Sequence, residues 1–192
     1  MPRPTVLDGA AKIGTAPDAA QPPRQKNLAT RPPEPRLHQA QTRLLMKPLS
    51  SLAAGLAGAV ALTALHETAR RLRPHDAPRM DVLGMRALRK LLGRAHAPQP
   101  DATTLFDLTI AGDVLSNGLY FSLVGSGRHA MRRGLLLGLA ASAGGVLLPG
   151  PLGLGAAPSN RTPQTRAMTV AWYALGGLVA GAVARALRRA RK

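Results

Sequence analysis

The chain contains no cysteine, which excludes disulfides, thiolate zinc sites, iron–sulfur ligation and cysteine nucleophiles. Acidic residues are also scarce: 9 Asp+Glu stand against 26 Lys+Arg, a formal charge of +17. Aromatics make up only 3% of the residues, so a soluble core would lack the large rings that usually dominate burial. Ala, Gly and Leu fill the apolar stretches instead. No nucleophile elbow, Walker loop or dinucleotide fingerprint occurs, so neither enzyme activity nor a cofactor is expected.

In a soluble protein an excess of base this large would first suggest a nucleic-acid partner. The placement of the charges argues otherwise. They gather in the tails and between long runs that carry almost none. A bilayer imposes that segregation, because a charge at its centre costs at least ~2.5–3.5 kcal/mol.

Residues 1–45 hold eight prolines and no sustained apolar period, and are expected to form a disordered tail. Met46-Lys47 then opens the first apolar run, a pattern that also fits a secretory signal cleaved near Ala59-Val60-Ala61. Three further runs follow, which favours a multi-pass membrane chain over that alternative.

The runs define an all-α fold, an integral membrane bundle of about four transmembrane helices within residues 46–186. The expected spans are 48–65, 105–124, 134–157 and 167–184, followed by a basic tail at 187–192. Eighteen residues at helical rise reach about 27 Å, just enough for a bilayer core. The third run meets Pro149-Gly150-Pro151, where a helix must bend or break. Trp172 and Tyr173 stand near the start of the fourth, where such rings favour the headgroup level.

Small residues recur four apart as Gly55 with Ala59, Gly134 with Gly138, and Gly177 with Gly181. This spacing lets backbones approach closely in lipid, within the bundle first and across a dimer face second. Between the first two runs, residues 80–94 are expected to form a basic amphipathic helix. Arg86, Arg89 and Lys90 share one side of it, and Met80, Ala87, Leu88, Leu91 and Leu92 the other. Such a helix suits the interface of an anionic leaflet, and equally a position packed on its own bundle. No stacking aromatics accompany the stripe, so no nucleic-acid partner is expected.

The candidate functional residues are Asp113, Ser116, Asn117 and Tyr120, which fall within about 100° of one helical face. An ionisable group mid-span must face protein or water and often marks a solute or proton path. The bland alternative is an interhelical hydrogen-bond seam. Asp107 lies on another face near the span's end and reads as interfacial. His66-Glu67 and His75-Asp76 match no metal-ligand spacing, so no metal site is expected. Glu67 is expected to pair with Arg70 or Arg71 at helical spacing instead. Gly125-Ser126-Gly127 reads as a turn between two spans.

The stretch LHETARRLRPHDAPRMDVLGMRAL at residues 65–88, with the four apolar runs, resembles small multi-pass bacterial membrane proteins of uncharacterised function. The likeness covers residues 48–185 in architecture and only 65–88 in motif. It implies a bacterial inner-membrane location and carries no catalytic residues. Four spans put both tails and the 125–133 loop on one side, with 16 basic residues against 10 opposite. Counting only basic residues near the membrane narrows this to 12 against 10, still placing both termini in the cytoplasm. The expected role is a structural or accessory membrane component that pairs with itself or with other membrane proteins. The alternative is a small transporter or channel subunit using the Asp113 stripe.

Overall fold

A computed structural model of the chain describes residues 34–191. The described residues form six helices and no strand: α1 Glu34–Leu72, α2 Met80–Arg94, α3 Ala102–Ser122, α4 Ala130–Leu147, α5 Ala157–Asn160 and α6 Pro163–Arg189. Within them, Met46–Leu72 and Pro163–Arg189 are long and apolar enough to cross a membrane. Only 33% and 39% of their most apolar stretches are buried within the chain, whereas a soluble core helix would be mostly covered.

Local chemistry sets the helix ends. Asp101 caps α3 by accepting from the amides of Thr103 and Thr104, each at 3.0 Å. Thr162 caps α6 by accepting from the Thr165 amide at 3.0 Å, with Pro163 at the first helical position, where no N–H is missed. The tail expected at residues 1–45 is helical from Glu34 onward, continuous with α1, and its first 33 residues lie outside the described ones. The helix runs through Pro48, where the Ser50 hydroxyl donates to the Met46 and Lys47 carbonyls at 2.9 and 3.0 Å. The third run behaves differently from its expected span of 134–157. α4 stops at Leu147, and Pro149 opens a turn that includes Gly153 and Gly155 at φ +68° and +83°.

Helices α1, α3, α4 and α6 pack as an up-down-up-down bundle. Gly55 of α1 lies against Gly118 of α3, Thr63 meets Asp113, and Arg70 sits 5.8 Å above the Phe106 ring, so the two helices run antiparallel. Likewise Gly58 of α1 lies against Gly176 and Ala180 of α6, while His66 meets Tyr173. The closest approach joins α4 to α6. A Cβ on Gly134 would run into the Gly177 carbonyl, and a Cβ on Gly177 into that of Gly134. Gly138 is blocked in the same way by the Tyr173 carbonyl, and Gly181 by the backbone of Ala130 and Met131. Two of the small-residue pairs thus face each other across α4 and α6 of one chain.

α2 and α5 lie at one end of this bundle, where α2 packs on α3 and α5. Gly84 lies against the Thr109 methyl of α3, and Asp81 and Leu83 are the buried residues of α2. Two of its three aligned basic side chains are held by the turn after α4. Arg86 donates to the Leu154 carbonyl at 2.6 Å and Lys90 to that of Leu152 at 2.5 Å. Arg89 and Leu91 remain exposed.

The distribution of side-chain size is the reverse of a soluble bundle's. The interior is built largely from Ala54, Ala59, Gly134, Gly138, Gly176, Gly177, Ala180 and Ala184, with Leu62, Phe121 and Tyr173 as its larger members. Leucines point outward, among them Leu49 at 63% exposure, Leu115 at 59%, Leu123 at 65% and Leu136 at 55%.

Candidate functional site: a polar seam inside the bundle

A line of polar side chains crosses this small-residue interior. Asp113 on α3 accepts a hydrogen bond from the Thr63 hydroxyl of α1 at 3.0 Å through Oδ2. Its Oδ1 accepts from the Asn117 amide one turn away at 2.8 Å. Asn117 Nδ2 also lies 3.0 Å from the Asp113 carbonyl oxygen. The carboxylate is therefore engaged on both oxygens, once across helices and once along its own. Tyr120 ties α3 to α4, donating to the Leu137 carbonyl at 3.0 Å. Ser116 takes a different path: it is exposed, and its hydroxyl returns to the Asp113 carbonyl at 3.2 Å. Of the four residues on the stripe, two form one cluster with Thr63, one bonds a different helix, and one faces outward.

Toward the α2 end the seam continues through residues whose sequence signals are weaker. His66 is 7% exposed, its ring edge-on to Tyr173 with centroids 5.7 Å apart, and its Nε2 has no protein partner. Tyr173 is buried at 7% exposure, with its ring against that of His66. Thr169 donates to the Ser159 carbonyl at 3.0 Å and the Thr165 carbonyl at 2.9 Å, anchoring α5 on α6. Thr63 and Thr169 were discoverable as hydroxyls one helical turn from another polar residue within an apolar run.

The charged residues at the α2 end are mostly committed to structure. Glu67 pairs with Arg70, three residues on. Arg79 and Asp81 pair at 2.8 Å across the entry to α2, with the Asp81 side chain only 5% exposed. Burial opposes the Asp81 charge, but the hydrogen bonds and charge of Arg79 outweigh it and hold the carboxyl below its ordinary range. A carboxyl whose folded pKa is depressed stabilises the fold above its unfolded value, about 3.9, and loses that contribution as pH falls through the folded value. The amide protection factors of α2 are therefore expected to drop below about pH 4 while those of α1 persist. Arg79→Gln should shrink or abolish that loss, because the bonds that hold the Asp81 carboxyl below its ordinary range are gone, and native protection indifferent to pH would refute the anchoring role.

No group of three or more His, Asp or Glu side chains able to hold a metal ion occurs among the described residues. His75 is exposed, and the Gly125-Ser126-Gly127 segment forms the α3–α4 turn with Gly125 at φ +64°. Asp107 is exposed on the outer face of α3, beside Phe106 and Ile110. No family model, curated protein or solved structure matches this chain.

Proposed function

We propose that the protein is a multi-pass integral membrane protein whose four long helices all cross the bilayer, acting as a structural or accessory component. The observation that carries this reading is the reversed packing, with leucines outside and Gly, Ala and Thr inside. In water the outward leucines would form large apolar patches, which soluble monomers rarely expose. In lipid they cost nothing, and small residues become the natural contacts between helices. α3 and α4 pass the length requirement with 21 and 18 residues, and each carries exposed leucines along its outer face.

The distribution of charge supports cytoplasmic termini in a bacterial inner membrane. From Met46 onward, the end holding Lys47, Arg128, Arg132, Arg133, Arg185, Arg188, Arg189 and Arg191 carries no carboxylate. At the opposite end Arg70 and Arg79 are paired with acids, and Arg86 and Lys90 are bound to carbonyls. Arg71, Arg73, Arg89, Arg94, Arg161 and Arg166 also lie at that end, so the excess of basic residues at the end bearing the termini is modest, and its complete lack of acidic side chains is what favours cytoplasmic termini.

The polar seam favours the accessory role over transport, since both Asp113 oxygens are already bonded to protein groups. The test of topology uses the absence of native cysteine, so that an introduced thiol reports alone. In intact cells an impermeant maleimide is expected to label Ala97→Cys and spare Ala190→Cys. Labelling of neither would mean that one long helix does not cross. Release of the protein by alkaline extraction would end the membrane reading altogether.

A further inference from the structure

We propose that the groove between α1 and α6 at the α2 end seats one acyl chain of an anionic phospholipid, whose phosphate pairs with Arg73; this rests on the membrane reading above. The groove encloses about 390 Å³, within the usual range for a small-molecule site. Leu65, Ala69 and Leu72 of α1 form one wall, and Met168 and Trp172 of α6 the other. Thr68, Leu72 and Arg73 are exposed, so an occupant enters sideways from the leaflet and not through the bundle.

The groove is apolar with a single basic residue at one end. That residue is Arg73, just beyond the last turn of α1, and it is the one charged residue along an almost wholly apolar lining. Arg73 belongs to neither of the two ion pairs among the described residues, while nearby Arg70 is neutralised by Glu67. A ligand complementary to this surface has a long apolar body and an anionic head. In a bilayer that description fits a phospholipid, with an arginine fork matching its phosphate. Trp172 lines the groove, so a lipid chain lying along it would touch the indole.

Trp172 is the only tryptophan in the chain, so its fluorescence reports on this groove alone. The full-length protein would be reconstituted into vesicles of phosphatidylcholine containing graded fractions of either phosphatidylglycerol or phosphatidylcholine brominated on the acyl chains. Half-maximal quenching is expected at about fivefold lower mole fraction for brominated phosphatidylglycerol, the preference one basic residue near the surface supplies. Arg73→Gln should abolish the preference while leaving quenching by phosphatidylcholine unchanged. Ala69→Phe should lower quenching by both lipids by filling the groove, and supplies the test if the Arg73 variant does not fold. Arg94→Gln, away from the groove, should retain the preference. Equal quenching by the two lipids in the native protein, or a preference that survives Arg73→Gln, would overturn the proposal and leave the membrane reading standing. Failure of the protein to float with vesicles, with Trp172 unquenched by either lipid, would overturn both.

Discussion

Gly134→Ala is expected to pry α4 from α6 and to lower the stability of the bundle by about 1–3 kcal/mol, with Gly134→Val costing more. The added Cβ meets the carbonyl of Gly177, a backbone atom that cannot rotate aside as the tip of a side chain would. Only separation of the helices relieves the overlap, and separation also strips Gly138 and Gly181 of their own backbone contacts. Gly177→Ala should do the same from the opposite side, since the two residues oppose each other's carbonyls. The combined variant should therefore cost less than the sum of the two, because the first substitution has already parted the helices. Thermal unfolding in detergent micelles, followed by helicity, measures all three. Gly93→Ala provides the control, as a Cβ there meets nothing within 4 Å and a helical Gly to Ala change is stabilising. A melting temperature equal for Gly134→Ala and the native chain would show that α4 and α6 do not approach this closely.

The same glycines show how much of this fold was legible beforehand. Small residues four apart mark a face that accepts a neighbouring backbone, and that much follows from spacing alone. Which face meets which is a tertiary fact: Gly134 and Gly138 found Gly177 and Gly181, whereas Gly55 found Gly118. Helix α2 was legible in its bounds, 80–94, but not in its buried face: Asp81 and Leu83 are covered, whereas Leu91 of the apolar side read from the wheel is exposed. Its placement was not legible either, since a basic face suits a lipid headgroup as well as a carbonyl. Arg86 and Lys90 settle on the carbonyls of the turn that Pro149 begins. That turn also explains why the third apolar run is divided. Hydropathy reads Leu152 and Leu154 as a continuation of α4, but backbone geometry ends the helix at Leu147.

The candidate site was legible as a stripe on one helix and illegible as a set of contacts. Period alone groups Asp113, Ser116, Asn117 and Tyr120, because it knows only their own helix. Partners on other helices divide them: Thr63 takes Asp113, the Leu137 carbonyl takes Tyr120, and Ser116 is left facing outward. Nothing in the local sequence announces Thr63 as that partner. His66 was visible as a residue at a run's end, but its burial against Tyr173 depends on the crossing of α1 with α6.

Asp113→Ala is expected to destabilise the bundle by about 1–2 kcal/mol, whereas Asp113→Asn should cost only a few tenths. Alanine removes the acceptor of both the Thr63 hydroxyl and the Asn117 amide, leaving two donors in a setting without water to replace it. Asparagine keeps the shape and one acceptor oxygen, which Thr63 can still use. Combining Asp113→Ala with Thr63→Val isolates the interhelical bond, since valine fills the threonine's volume without its hydroxyl. The coupling should be about 0.6–1.7 kcal/mol, the span found for polar pairs between membrane helices. Coupling within that span, with Asp113→Asn near native stability, is what a seam that positions α3 against α1 requires. A proton or cation path shares the intact fold of Asp113→Asn but requires that variant to abolish flux, and Thr63→Val to change flux more than stability. Measuring ion flux and unfolding on the same reconstituted variants separates the two, because a seam yields a graded loss of stability with no flux to lose. The bonding of both Asp113 oxygens favours the first outcome. A pathway residue would have to give up the Thr63 or Asn117 bond, or use a remaining lone pair, as each ion passes, and its partners would then change flux before they changed stability.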